Sequence, residues 1–482
     1  MAFTPEQEAI LLQIISAYEN GKRLADLPVE QVDNPFDLWT EVIGTDGESK
    51  KAALAELLPY VEEECMYGVE WDASSSNPDV TRIGNMNLHV SLPIQNRMHG
   101  CLLDDNGHVV EYLNPNSWEE DVLDGSRGQV MVELPAFYWK FEEQDNIRRV
   151  KLSEYPLPGY TFVKKKYVSA YEATVDRATS SLKLCSVKND SEQYRGCGNQ
   201  SAWDGTYRSA LGRPATGISL TSFRTYARRR NGDATTEWNC NTYDIQKELY
   251  WLFVVEYATR NSQKAFNAEL TEAGYKQGGL GNGVLCDGTL WNNLNGYYPF
   301  VPCGYTDDLG NFSGEKSYVQ LDENGNTLFT VTANRYRGIE QPFAHIWKWT
   351  DGIHVMVSAN EENGGDGTSK IYVTDDPSLF NDSNNTGYAH VGNEDRASDW
   401  IKDVVFGNDG EIMAHTHGGG SSSYFCDYHY VSIPSSGTSL RGVLFGGNAN
   451  NGAGCGFVCS DSYYAPSNTD SDIGSRLCFI PA

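Results

Sequence analysis

Between about residues 66 and 150 the apolar side chains recur at every second position, in short runs broken by Asx-Gly steps. No other feature narrows the possible folds as much. Cys101-Leu-Leu-Asp-Asp-Asn-Gly-His-Val-Val-Glu-Tyr-Leu113 is two apolar strands around Asn106-Gly107, a strong hairpin signal because both residues tolerate the left-handed turn that joins twisted strands. Gln129-Val-Met-Val-Glu-Leu134 adds a strand, and further Asx-Gly turns stand at Asn324-Gly325 and Asp409-Gly410. Helical spacing is scarce by comparison. One clear block covers Asn241 to Thr259, with Ile245, Leu249, Leu252, Phe253 and Tyr257 in step, and a shorter one covers Thr221 to Arg230. Glycine-rich connections surround them, and no fixed-period repeat is visible, which argues against a solenoid or propeller.

The first 70 residues read differently. Thr4-Pro5-Glu6-Gln7 is an N-cap with Pro at the first helical position and Gln at the capping-box position, followed by Ile10, Leu11, Ile14, Ile15 and Tyr18 on one face, with Gly21 as a stop. A second helix is expected over Glu48 to Leu58, striped by Ala53, Leu54, Leu57 and Leu58. Both apolar faces are narrow and need a neighbour, either the rest of the chain or a second copy. The expected organisation is α+β: an acidic helical segment over 1–70, a β-rich module over 71–150, and a large domain over 151–482 with few helices, many short strands and long loops.

Charge excludes some partners. Lys and Arg total 37 against 65 Asp and Glu, a net of −28, which disfavours a sequence-independent grip on nucleic acid or anionic lipid. The longest strongly apolar run, Tyr250 to Val255, stops at Glu256, and the start lacks the basic-then-apolar pattern of a secretory leader, so no direct membrane insertion is expected. The 11 cysteines are odd in number, scattered and free of any C-x-x-C pair, so reduced thiols are expected.

Four separated segments carry a resemblance. Tyr167-Val-Ser-Ala-Tyr-Glu-Ala-Thr-Val175, Gly217-Ile-Ser-Leu-Thr-Ser-Phe-Arg-Thr-Tyr-Ala227, Pro342-Phe-Ala-His-Ile-Trp-Lys-Trp-Thr-Asp351 and the pair Leu440-Arg-Gly-Val-Leu-Phe445 with Ile473-Gly-Ser-Arg-Leu-Cys478 resemble, in order, the motifs of the formylglycine-generating enzyme type of C-type lectin fold. Leu220 stands where that family usually has Trp. The whole chain is similar to the variable proteins of diversity-generating retroelements carried by temperate phages, the group that includes phage tropism determinants. The resemblance implies a C-terminal lectin-type domain, a variable region at about 443–478 rewritten chiefly at Asn codons, and a protein of the virion tail or of the bacterial surface. It implies a host cell-surface protein or glycan as partner, contact with other tail proteins, and a homo-oligomer such as a trimer.

The window 448–472 supports that reading by its composition. Of its 25 residues, 18 are Asn, Tyr, Ser, Asp, Gly or Cys, and none is Lys, Arg, Glu, Gln, Met or Trp. Changing the first two letters of an AAC or AAT codon reaches the first set and never Lys, Glu, Gln, Met or Trp. Tyr offers rigid contact area with a hydroxyl, and Asn, Ser and Asp offer short polar groups, as in antibody loops. The expected exposed contact residues are Asn448, Asn450, Asn451, Cys455, Cys459, Asp461, Tyr463, Tyr464, Asn468, Asp470 and Asp472, with Tyr463 and Tyr464 dominant. Phe457, Ala465 and Pro466 are assigned to the scaffold. The bland alternative is an ordinary polar surface loop.

Competing chemistries fit less well. A copper-dependent oxidase of the formylglycine-generating type needs a cysteine pair soon after its Arg-Gly-Gly-Ser-Trp motif. Here Arg441-Gly-Val-Leu-Phe445 is followed by Gly446-Gly447, and the nearest cysteines are 455 and 459. They are open to a disulfide, a reactive pair or chance outcomes of diversification. His415-Thr-His417 with Cys426, Asp427 and His429 is a metal candidate weakened by the intervening Gly418-Gly-Gly-Ser-Ser-Ser423, and Asp322-Glu-Asn-Gly-Asn326 reads as a hairpin turn and not a calcium loop. The expectation is a binding protein with no catalytic residues, metal or cofactor. Its rivals are that copper-dependent oxidase and a non-diversified structural virion protein, while a calcium-dependent sugar lectin is a subtype of the binding reading.

Overall fold

The computed structural model describes residues 39–43, 49–53, 61–232, 235–264, 267–281 and 284–482. Strands dominate among them, gathered into three larger sheets, and helices are few. The helix expected over Thr4 to Tyr18 lies outside the described residues, as do residues 54–58 of the second expected helix. Residues 49–53 of that helix form the strand Ser49–Ala53 instead, antiparallel to Trp39–Ile43 with Trp39 opposite Ala53. Pairing with a neighbouring strand outweighs intrinsic preference here.

The five-stranded sheet runs in the order Thr161–Val163, Phe137–Gln144, Ile147–Ser153, Met66–Asp72, Thr81–Gly84. Its alternation is clean: Phe137, Trp139 and Phe141 point inward and are buried, while Lys140 and Glu142 face out and pair at 2.7 Å. The six-stranded sheet runs Trp238–Cys240, Leu477–Phe479, Lys166–Ser169, Gln129–Leu134, His99–Leu103, Val109–Tyr112. The last two strands are the expected hairpin about Asn106-Gly107, with Cys101 opposite Tyr112. Half of this sheet comes from before residue 150 and half from after, joined where Lys166 faces Leu134. The expected boundary near 150 therefore runs through continuous backbone hydrogen bonding.

The nine-stranded sheet is built around Trp347–Ser358. On one side lie Ser369–Val373 and Ala389–Asn393. On the other follow Thr438–Phe445, Ser460–Ser462, Tyr428–Val431, Asp399–Val404 and Ala414–His417, and Ile473–Gly474 runs parallel to Trp347 and Lys348.

The helix Tyr243–Tyr257 packs against both Met66–Asp72 and Trp347–Ser358. Thr242 caps its start by accepting from the Ile245 N–H at 3.4 Å, and every residue except Asp244 is buried. Its buried charges are all paired: Glu248 with Lys166 at 2.8 Å, Lys247 with Glu411 at 3.0 Å and Glu256 with Arg337 at 2.5 Å. Such pairing is what lets charges enter a core. The sequence has two basic runs, Lys164-Lys-Lys166 and Arg228-Arg-Arg230, for which solvated faces or local salt bridges are expected; Lys166 and Arg230 are both buried, Arg230 donating to the Leu184 carbonyl at 2.8 Å and pairing with Asp105. Both form buried ion pairs, the second of the two expected outcomes, while Lys164 and Lys165 are exposed. Among the described residues no helix is long and apolar enough to cross a membrane.

Candidate functional site

The segments singled out by sequence converge beneath the C-terminal window. Glu172 Oε2 lies 2.6 Å from His345 Nδ1, and its Oε1 lies 2.9 Å from Lys348 Nζ. Arg476 donates to the Ser169 carbonyl at 3.1 Å and to the Gln341 carbonyl at 2.6 Å. Burial alone would raise the Glu172 carboxyl, but Lys348, His345 and Arg476 hold it down to about 2. The helix Leu220–Arg228 is tied to the same strand by Arg224, buried and bonded to Asp351 at 2.5 and 2.9 Å and to Asp382 at 2.7 Å. A buried network of this kind fixes one relative placement of its elements.

The window leaves and re-enters this frame through two sheets. Its entry strand Thr438–Phe445 pairs with Trp347–Ser358, placing Leu444 opposite Trp349, and its exit strand Leu477–Phe479 lies between Trp238–Cys240 and Lys166–Ser169. Val443, Leu444, Phe445, Leu477 and Cys478 are fully buried.

Between these anchors the window does not form one exposed loop. Residues 454–462 pass through the core, and Ser460–Ser462 pairs with Thr438–Phe445 on one side and Tyr428–Val431 on the other. Phe457 packs against Phe253 at 5.2 Å and Phe343 at 5.4 Å between ring centres. The buried Asp427 accepts from the N–H groups of Val458 at 2.9 Å and Cys459 at 3.2 Å. Gly456 sits so close to Asp427 that a Cβ there would fall 2.1 Å from Oδ1. Gly447, at φ +73°, faces both sulfurs, and a Cβ there would stand 2.7 Å from Cys455 Sγ and 3.2 Å from Cys459 Sγ.

Two lobes remain at the surface, 450–453 and 463–472. In the first, Asn450 is exposed and Asn451 half-buried, with Asn451 Nδ2 donating to the Tyr430 hydroxyl at 3.1 Å. In the second, Tyr463 is 48% exposed and stands 5.0 Å from the half-buried Tyr464 ring. Asp470 is exposed, and Asn468 and Asp472 are half-buried. The lobes are joined where Asn448 Nδ2 donates to Asp472 at 2.5 Å.

Four expected contact residues are corrected. Asn448, Cys455, Cys459 and Asp461 are buried. Cys455 and Cys459 lie in the stretch that is packed on both faces, and Asp461 pairs opposite Leu444 and Tyr430. The codon alphabet describes which residues occur in the window and carries no information about depth. All 11 cysteines are free and buried, and burial pushes the thiols of Cys455 and Cys459 well up, which favours the inert protonated form. Phe457 and Pro466 are buried as scaffold and Ala465 is half-buried. Burial also pushes Asp461 up to about 7 and Asp472 up to about 6, each against its own hydrogen-bond donor.

The site also contains aromatic residues from outside the window. Tyr428, Tyr430 and Trp400 are half-buried beside the first lobe, with ring centres 4.7 Å apart for Tyr428 and Tyr430 and 5.6 Å for Trp400 and Tyr428. Gly454 approaches both Tyr428 and Trp400. These aromatics were not read from the sequence as part of the site; the Tyr-His-Tyr alternation at 428–430, which puts both tyrosines on one strand face, was the signal available.

The metal candidates disperse. His415 contacts the Asn393 carbonyl at 3.0 Å, His417 contacts Asp395 at 2.8 Å, and His429 turns inward to Ser460 at 2.9 Å. Among the described residues no three His, Cys, Asp or Glu side chains gather in a way that would hold a metal ion. Asp322 closes a hairpin turn, accepting from the N–H groups of Asn324 and Asn326 at 2.8 Å.

No family model matches the chain, and no curated protein matches it. Among solved structures, one named Major Tropism Determinant P3c Variant aligns with 83% of this chain and 88% of its own at 11% identity, with a TM-score of 0.19, a likeness too slight to carry fold or function.

Proposed function

We propose that this chain is a recognition protein whose ligand, a protein or glycan on a bacterial host surface, is chosen by the side chains of the two lobes. The observation that carries the reading is the contrast within one window: a stretch locked into the core between two small polar and tyrosyl lobes that face outward. A rigid frame with adaptable tips suits binding, because little ordering cost is left at the moment of contact. Tyr463, Tyr464, Asn450, Asn451, Asn468 and Asp470 are the contact set, with Tyr428, Tyr430 and Trp400 as a fixed aromatic flank. The proposal includes a C-type lectin-type fold for the C-terminal part, diversification of the window by a retroelement, and display on a phage tail as a homo-oligomer, where repeated copies raise avidity. It contains no catalytic step.

The DNA beside the gene tests the diversification. The expected finding is a near-copy of the codons for 448–472, differing at adenines and neighbouring a reverse-transcriptase gene. Within that copy, differences are expected to concentrate in codons 450, 451, 463, 464, 468 and 470. A flanking region with no such copy removes diversification from the account.

A further inference from the structure

A cleft of about 820 Å³ shares no residue with the window. Edge strands of all three large sheets border it. Thr161–Val163 ends the five-stranded sheet, Ala389–Asn393 ends the nine-stranded sheet and Trp238–Cys240 ends the six-stranded sheet. Phe162, Val391 and Glu237, from or beside those strands, line the cleft. An edge strand presents N–H and C=O groups with no partner in its own sheet, which an extended peptide can pair. Trp139, Tyr243 and Val373 supply an apolar floor, and Phe162 is 56% exposed.

The charges in the cleft are unbalanced. Six acidic side chains line it against three lysines: Lys166 is neutralised by Asp244 and Glu248, Lys247 by Glu411, and the exposed Lys164 donates to the Pro481 carbonyl at 3.0 Å and acts on Asp376 and Asp244. Glu237, Asp375 and Asp409 have no ion-pair partner among the described residues, and Asp375 and Asp409 are exposed. Glu411, with a side chain 6% exposed, accepts at Oε1 from Lys247 Nζ at 3.0 Å and lies beside the Tyr243 hydroxyl.

We propose that this cleft binds an extended basic peptide segment of a partner protein. Its backbone pairs along an exposed sheet edge, and its Lys or Arg side chains meet Asp375, Asp409 and Glu237 with their aliphatic stems on Phe162. The chain's own N-terminal stretch does not fit, since residues 1–60 carry 11 acidic and 4 basic side chains. A second copy is disfavoured for the same reason at a net charge of −28.

The test is titration of the full chain with a fluorescent eight-residue peptide of alternating Lys and Val, with the Glu-Val counterpart and spermine as controls. Saturable binding of the Lys-Val peptide is expected, weakening with added salt, with no binding of the Glu-Val peptide and at least about tenfold weaker binding of spermine. D375N/D409N, and separately F162A, are expected to lower peptide affinity by at least about tenfold with melting temperature unchanged, as their exposure allows. Y463A/Y464A should leave it untouched, which separates this cleft from the window. Absence of Lys-Val binding, equal binding of the Glu-Val peptide, or indifference to both sets of cleft variants overturns the proposal. Spermine binding as tightly as the peptide overturns the role of the sheet edges.

Discussion

Glu394 shows how a single side chain links burial to pH. It is buried, and His429 Nε2 stands 3.5 Å away. Burial pushes its pKa up to about 8 and lowers that of His429 to about 4. Ser462, Asp461, Asp395 and Arg396 are the other polar groups around it. Because the folded pKa lies above the unfolded one, the stability contribution of Glu394 is fully present below the unfolded value and is lost as pH rises through about 8. His429 acts in the opposite sense and only at acidic pH, so the clean window is above about 6.5, the ordinary histidine value. E394Q is expected to flatten the fall in stability between pH 6.5 and 8 by up to about 1.4 kcal/mol per pH unit, read from denaturant melts of both proteins. Parallel curves for the two proteins would show that Glu394 is ionised in the fold.

At the scale of elements, the motif segments matter because they share one buried network. Lys348 lies on the central strand and Glu172 lies just after Lys166–Ser169, so their 2.9 Å contact ties two sheets together. K348M is expected to cost about 3–5 kcal/mol by leaving Glu172 buried without its cation. E172Q/K348M is expected to recover at least about 1 kcal/mol relative to the sum of the two single changes, measured as a double-mutant cycle in urea. Strict additivity would mean that the two side chains do not interact. These elements also show what the sequence could tell. The hairpin at 101–113, the strand at 129–134 and the helix at 243–257 were legible, because their periodicities are local. The strand at 49–53 was not, since its pairing with 39–43 outweighs a local helical stripe. Cys455, Cys459 and Asp461 were misplaced for a related reason: Asp461 is enclosed by the strands at 428–431 and 438–445 and both sulfurs lie against Gly447, and a stretch enclosed on both faces has no alternation to read.

Over the whole molecule, the six-stranded sheet joins residues 99–134 to residues 166–169, 238–240 and 477–479. A chain beginning at residue 151 lacks three of those strands and exposes the edge of Lys166–Ser169. It is expected to be insoluble or to melt without cooperativity, checked by circular dichroism beside the full chain. A cooperative melt would restore an independent C-terminal domain. The frame so assembled holds outward the two lobes to which the proposed recognition belongs.

The most direct test is flow cytometry of labelled full-length protein on a panel of bacterial strains, comparing wild type with N450A/Y463A/Y464A/D470A. These changes are at exposed or half-buried positions and should leave the melting temperature unchanged. The account predicts strain-selective binding by the wild type that falls by more than about tenfold in the variant. Undiminished binding by a folded variant would contradict it.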